Sequence, residues 1–239
     1  MNSPQATPHS TPSSQRLPNW RSAGKAPNAP IQGRSVFLLP LDPPRHGEAL
    51  FKLFANDEAH WAHLPYGPFA DEESFMSWLA LTVSAADTAL YAVFKKDSNQ
   101  VLGFLGYRQI VQAHGTVEIG HVNFSQALRQ TRMASEAMYL LLKTAFELGY
   151  RRCEWRCDSR NAASVKAARR LGFQFEGMLR QAMVVKGRNR DTLLFSMLDG
   201  EWDGLCQAYE AYLADDNFDA EGRQLQSLGR FMAAERALA

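Results

Sequence analysis

Apolar and polar positions along this chain recur with two different periods, and the switches between them divide the sequence into elements. A short apolar run, Val36-Phe37-Leu38-Leu39, ends at Pro40 and predicts a strand. Gly47 to Ala55 and Glu72 to Ser84 carry helical spacing (Leu50, Leu53, Phe54; then Phe75, Met76, Leu79). The polar and aromatic stretch between them, residues 56–70, reads as a loop at the rim of a site. Ala89 to Lys95, Val101 to Ile110 and Gly115 to Phe124 predict three strands of a meander, the first two joined by a turn at Asp97-Ser98-Asn99-Gln100.

In the second half, Met133, Ala137, Leu140, Leu141, Thr144, Ala145 and Leu148 fall at helical spacing, with Gly149 as a C-terminal cap. Arg152 to Asp158 alternates Cys153, Trp155 and Cys157 against Arg152, Glu154 and Arg156, the period of a half-buried strand. Asn161 caps a shorter helix closed by Gly172. Phe173 to Val185 and Asp191 to Leu198 flank the loop Lys186-Gly187-Arg188-Asn189-Arg190 as a hairpin. Strand, helix, strand, helix, strand implies an α/β (α+β) fold with a mixed, partly parallel central sheet flanked by helices. Beyond Trp202, helical patterns over Leu205 to Leu213 and Gln224 to Leu238 predict a C-terminal helical extension.

Composition sets the boundaries. Residues 1–30 hold six of the eleven prolines and only Met1, Leu17 and Trp20 as large apolar groups, too little to offset the entropy of ordering. The expected organisation is a disordered Pro/Ser-rich tail over 1–33, one domain over 34–202 and the helical extension over 203–239. Lys+Arg 26 against Asp+Glu 25 leaves a formal charge of +1, which provides no field to recruit nucleic acid or an anionic membrane. No apolar run approaches the roughly 18 residues of a membrane span, and the first ten residues lack a secretory signal. Three cysteines, two of them four apart in a strand and so about 13 Å from each other, predict free thiols in a reducing, cytoplasmic setting.

Candidate chemistry concentrates between Glu118 and Gly172. A helix opening at Arg129-Gln130-Thr131-Arg132-Met133-Ala134 offers free backbone N–H groups flanked by two arginines, a place for phosphate oxygens. This block resembles the acetyl-CoA site of the GCN5-related N-acetyltransferases (GNAT), in the branch that includes the ribosomal-protein-alanine acetyltransferases (RimJ/RimL); the resemblance covers Arg34 to Trp202. Gln/Arg-x-x-Gly-x-Gly/Ala, the family's pyrophosphate cradle, falls on residues 129–134, with Arg132 in place of glycine. The resemblance implies Glu118 as general base and Ser164 as the proton donor to the departing thiolate. It also implies Val122, Phe124, Arg129, Gln130, Thr131, Arg132, Met133, Ala134 and Asn161 as acetyl-CoA contacts, with the pantetheine arm between two splayed strands and no metal. A guanidinium at position 132 would substitute charge for close backbone approach.

The implied reaction moves an acetyl group to a primary amine, a protein N-terminus or a small molecule, by direct attack in a ternary complex. Deprotonation at pH 7 costs about 4–5 kcal/mol for a lysine-like amine and only about 1 kcal/mol for an α-amine, so a base matters most for the former. Glu118 shares a strand face with Gly120 and Val122 on strict alternation, and partial burial would raise its pKa. The opposing reading, motivated by Arg132 and by serine at 164 where many relatives carry tyrosine, is a catalytically silent acyl-CoA-binding module. His60-x-x-His63 reads as rim rather than metal ligands, Gly103-x-x-Gly106 as close backbone packing, and the basic hairpin as a solvated face or a grip for an acidic acceptor or a nucleotide phosphate. The partner expected is an amine acceptor, for a monomer or homodimer.

Overall fold

The computed structural model describes residues 16–238. Eight strands form one sheet in the order β1-β2-β3-β4-β5-β6-β8-β7. They are β1 (Ile31–Gln32), β2 (Val36–Pro40), β3 (Ala89–Lys95), β4 (Val101–Val111), β5 (Thr116–Phe124), β6 (Arg152–Asp158), β7 (Gln174–Val185) and β8 (Arg188–Leu198). Every neighbouring pair is antiparallel except β5 and β6, which the helical crossover between them makes parallel. The mixed, partly parallel sheet read from the sequence is therefore the one observed.

Helices cover both faces. On one face α1 (Pro43–Phe54) and α2 (Glu72–Ser84) bury Leu50, Phe54, Phe75 and Leu79 against Leu90, Ala92 and Phe104 of the sheet. On the other, α3 (Arg132–Glu147), α4 (Ala162–Arg170), α5 (Asp199–Leu213) and α6 (Leu228–Leu238) bury a larger cluster that includes Tyr107, Ile119, Leu141, Cys153 and Phe195. Gly106 lets β3 and β4 approach: a Cβ there would lie 2.2 Å from the Ala89 carbonyl oxygen, the close packing expected of it.

Three expectations change. Residues 20–32 are not a disordered tail but a strap across the sheet end, while residues 1–15 lie outside the described ones. Ala23 N–H donates to Gln112 O, Gly24 N–H to Leu148 O, Tyr91 Oη to Pro27 O, and Ile31–Gln32 pair with β2. Backbone hydrogen bonding, which needs no apolar side chains, orders this proline-rich stretch. Nor does a boundary fall at residue 202: α5 runs unbroken through it and buries Trp202, Leu205, Tyr209, Tyr212 and Leu213 in the main core. The β7–β8 loop, expected to span residues 186–190, is a two-residue turn with positive φ at Lys186 and Gly187, the geometry that matches strand twist.

Glu136, buried on α3, joins the segment before β2 to the helix layer by accepting from Arg34 N–H, Ser35 N–H and Ser35 Oγ. Glu136→Ala should cost about 3 kcal/mol because three donors lose a charged acceptor, which a shifted urea midpoint with unchanged slope would record.

Candidate active site

Strands β5 and β6 pair only over Thr116↔Arg152, Val117↔Cys153 and Glu118↔Glu154, yet β5 continues to Phe124 and β6 to Asp158. Beyond Glu118 the two diverge, and the gap opens toward the start of α3. There the segment between β5 and α3 turns sharply: Gln130 has φ +61°, and Thr131 caps the helix by accepting from Ala134 N–H. The N–H groups of Gln130, Arg132 and Met133 have no protein acceptor among the described residues. These free donors at the N-terminus of the sixteen-residue helix α3 make an arrangement suited to cradle an anion.

Neither arginine of this segment extends over the cradle. Arg129 donates through Nε to Phe124 O and through its terminal nitrogen to Asp57 and His60. Arg132 donates to Leu213 O and Asp215 Oδ1 and lies 4.4 Å above the Phe218 ring. The expectation that Arg132 substitutes charge for proximity is thus corrected: its guanidinium is committed to the chain after α5, and what it leaves at the cradle is a backbone N–H.

Glu118 sits at the base of the gap and is 4% exposed. Its Oε1 lies 3.7 Å from Arg108 Nε and its Oε2 3.6 Å from Arg156 Nε, too long for hydrogen bonds, and Oε2 has no hydrogen-bond partner among the described residues. Burial pushes the carboxyl above its ordinary value, and Arg108 and Arg156 oppose that rise. Arg156 is held in turn by Glu154, which also accepts from Arg152, and Arg152 reaches Glu176. Glu118 is therefore the member of this charged row with a free, buried oxygen facing the gap.

Strict alternation misplaces Val122. Two residues of β4, Gly106 and Phe104, pair with Gly120 and Asn123, so β5 carries one extra residue, and His121 adopts φ +49°. This bulge turns Val122, like Phe124, into the α3-side core and sets His121 and Asn123 on the Glu118 face. Tyr66 Oη meets Asn123 Nδ2 at 3.0 Å and His121 Nδ1 at 3.2 Å, and His60 Nε2 meets Asn123 Oδ1 at 2.7 Å. Burial lowers the pKa of both imidazoles, that of His121 to about 4, so both are neutral at pH 7. The rim expected over residues 56–70 supplies Asp57, His60 and Tyr66 to this network. His60 and His63 diverge, the latter approaching Asp158 at 3.7 Å.

Asn161 caps α4 by accepting from Ser164 N–H. The Ser164 hydroxyl accepts from the Trp155 indole N–H at 3.0 Å. Sequence reasoning missed Arg108, Arg156, Asn123 and Tyr66. Arg156 carried a signal in its alternation with Trp155 and Cys157, whereas Asn123 is recognisable as a site residue only once the bulge is known.

Comparisons with known proteins place the chain among acetyltransferases. The family profile described as "Acetyltransferase (GNAT) domain" matches residues 36–174. A solved structure from Chromobacterium violaceum ATCC 12472, described as a probable acetyltransferase of the GNAT family, is 73% identical, covers 84% of this chain and all of its own, and superposes with a TM-score of 0.78. The "Uncharacterized N-acetyltransferase p20" of Bacillus licheniformis is 33% identical over 115 residues, 48% of this chain; the match spans only 64% of that protein's length. At 22% identity the fold alone is shared with the acetyl transferase from Salmonella typhimurium that modifies the N-terminal serine of 50S ribosomal subunit protein L7/L12, with a TM-score of 0.63 over 71% of this chain and 98% of that one. Sheet order, diverging strands and profile lead to one conclusion: the chain belongs to the GCN5-related N-acetyltransferase family.

Proposed function

We propose that this protein transfers the acetyl group of acetyl-CoA to a primary amine, with Glu118 as general base. The observation that carries the reading is the buried Glu118 oxygen, unpartnered among the described residues, at the base of the β5–β6 gap, on the strand that leads to the α3 cradle. Acetyl-CoA supplies the acetyl group as a thioester. The N–H groups of Gln130, Arg132 and Met133 would hold its pyrophosphate, aided by the N-terminal end of α3. The widened strand gap, with Val122 and Phe124 along one edge and Asn161 near the other, suits a pantetheine arm.

Glu118 takes the proton that the attacking amine must lose. Ser164 keeps a smaller role: its lone pair is engaged by Trp155, and a serine hydroxyl is a weaker acid than a thiol, so it steadies a departing thiolate as a hydrogen-bond donor rather than protonating it. Arg132 no longer argues for a silent binding module, since its side chain is engaged away from the cradle. An N-terminal peptide amine is our preferred acceptor on the shared fold with the L7/L12 enzyme, with small amines as the alternative. Buried Cys153 and Cys157 as free thiols accord with cytoplasmic work.

Thiol release from acetyl-CoA on adding N-terminal peptides, polyamines or amino acids tests the activity. Its absence with every amine would count against the reading. Binding is tested separately by Ala134→Glu, which places a carboxylate on the first turn of α3 at the cradle. The dissociation constant for acetyl-CoA should rise at least tenfold, about 1.4 kcal/mol, by calorimetry on the folded variant.

A further inference from the structure

Most arginines on the Glu118 face have anionic partners. Arg152 bonds Glu154 and Glu176, Arg156 bonds Glu154, Arg160 bonds Asp158, and Arg108 lies near Glu118. Arg190, on β8, is buried and has none among the described residues. It is 8% exposed, and among the described residues its guanidinium makes no ion pair or side-chain hydrogen bond and its Nε is buried without a partner. A buried guanidinium left unpaired is costly, which is why such groups are almost always compensated.

Its surroundings are unsatisfied in the same sense. Thr192, two residues along the same face of β8, is 5% exposed with an unpartnered Oγ1. Thr192 stands opposite Asp158 in the β6–β8 register. His63, whose Nδ1 is buried without a hydrogen bond, approaches that same Asp158. Arg190 is close enough to Glu118 to depress its pKa, so the lone cation and the base share one electrostatic environment. The hairpin that carries Arg190 is drawn over the rim at its tip, where Lys186 Nζ donates to Trp61 O at 2.6 Å.

We infer that Arg190, with Thr192 beside it, receives a carboxylate that the acceptor carries a short distance from its reactive amine. Guanidinium and hydroxyl donors match the acceptor oxygens of a carboxylate, and an arginine prefers that planar partner to a neutral amide. The inference rests on the transferase reading and narrows its substrate to amines bearing a nearby carboxylate. That group has two sources: the α-carboxylate of a free amino acid, or the side chain of an acidic residue next to a peptide N-terminus.

Matched acceptors separate these. Serine is compared with serinamide, and the peptide amide Ser-Asp-Ala with Ser-Asn-Ala, by thiol release in the wild type and in Arg190→Met. At least one carboxylate-bearing member should exceed its neutral partner tenfold or more in kcat/KM, and Arg190→Met should reduce that ratio to twofold or less. Preference within the free pair alone identifies amino acids, and within the peptide pair alone identifies acidic N-termini. Equal rates within both pairs in the wild type overturn the inference while leaving the transferase reading intact. So does a ratio that survives in the variant, or a defect that appears instead as weaker acetyl-CoA binding, which would assign Arg190 to the nucleotide. If no acceptor turns over, calorimetry with N-acetylserine and N-acetyl-Ser-Asp-Ala amide on the CoA-bound protein still decides. Affinity lost at least tenfold in Arg190→Met upholds the carboxylate site and removes the transferase reading; equal affinity overturns the site. The melting temperature adds a second readout: without ligand, Arg190→Met should melt no lower than the wild type, whereas a marked fall would make Arg190 a structural group.

Discussion

Glu118→Gln should leave acetyl-CoA affinity unchanged and lower turnover by roughly 10²–10⁴, the range associated with a positioned general base. The amide is nearly isosteric and lies away from the α3 cradle, so the loss should fall on kcat. The pH profile carries the sharper evidence. A base works when ionised, and burial holds the folded-state pKa of Glu118 above its ordinary value. In the wild type, kcat/KM should therefore decline as pH falls through that raised pKa, and the limb should vanish in the glutamine variant. A loss below threefold at neutral pH would instead show that the amine deprotonates without Glu118, which the roughly 1 kcal/mol cost for an α-amine allows and the 4–5 kcal/mol cost for a lysine-like amine does not.

Removing residues 199–239 should yield no folded protein. Trp202, Leu205, Tyr209, Tyr212 and Leu213 of α5 are each less than a tenth exposed, and Tyr209 Oη also bonds Leu171 O in the core. At about 1.5–3 kcal/mol per large buried side chain, their loss approaches or exceeds the 5–15 kcal/mol that holds a typical domain together. The truncation also strips Arg132 of Leu213 and Asp215, beside the cradle. Circular dichroism and size-exclusion chromatography of residues 1–198 check this, and a cooperative thermal transition in that fragment would restore the boundary expected at residue 202.

Where local chemistry decides the outcome, the chain was readable. Glu72–Ser84, Ala89–Lys95 and Arg152–Asp158 form the elements predicted for them, residue for residue, because the first and last carry an apolar face, the second is a continuous apolar run buried on both faces, and turn formers bound all three. Glu118 was singled out through spacing on a recognisable block, and its burial follows from the sheet around it. What could not be read depends on partners distant in sequence. The strap over residues 20–32 is ordered by hydrogen-bond partners about 60 to 120 residues away, the Gln112 and Leu148 carbonyls as acceptors and the Tyr91 hydroxyl as donor. The fate of Arg132 depends on Leu213 and Asp215, some eighty positions on. The β5 bulge has only a weak local signature, Gly120 followed by His121, yet it decides that His121 and Asn123, and not Val122, share the face of Glu118.

That strap also sets an order of opening under native conditions. Between Arg16 and Ile31 only Ala23 is fully buried, so the segment is held mainly by a few hydrogen bonds to Gln112, Ala113, Leu148 and Tyr91. Little apolar surface is exposed when it detaches, and its opening free energy should be well below that of the sheet. Gln112 and Leu148 lie at the β4–β5 turn and beyond the end of α3, the opposite end of that helix from the cradle. Among the described residues, limited proteolysis should therefore cut first within residues 16–30, and the nicked protein should retain its cradle and its acetyl-CoA affinity until the core itself unfolds.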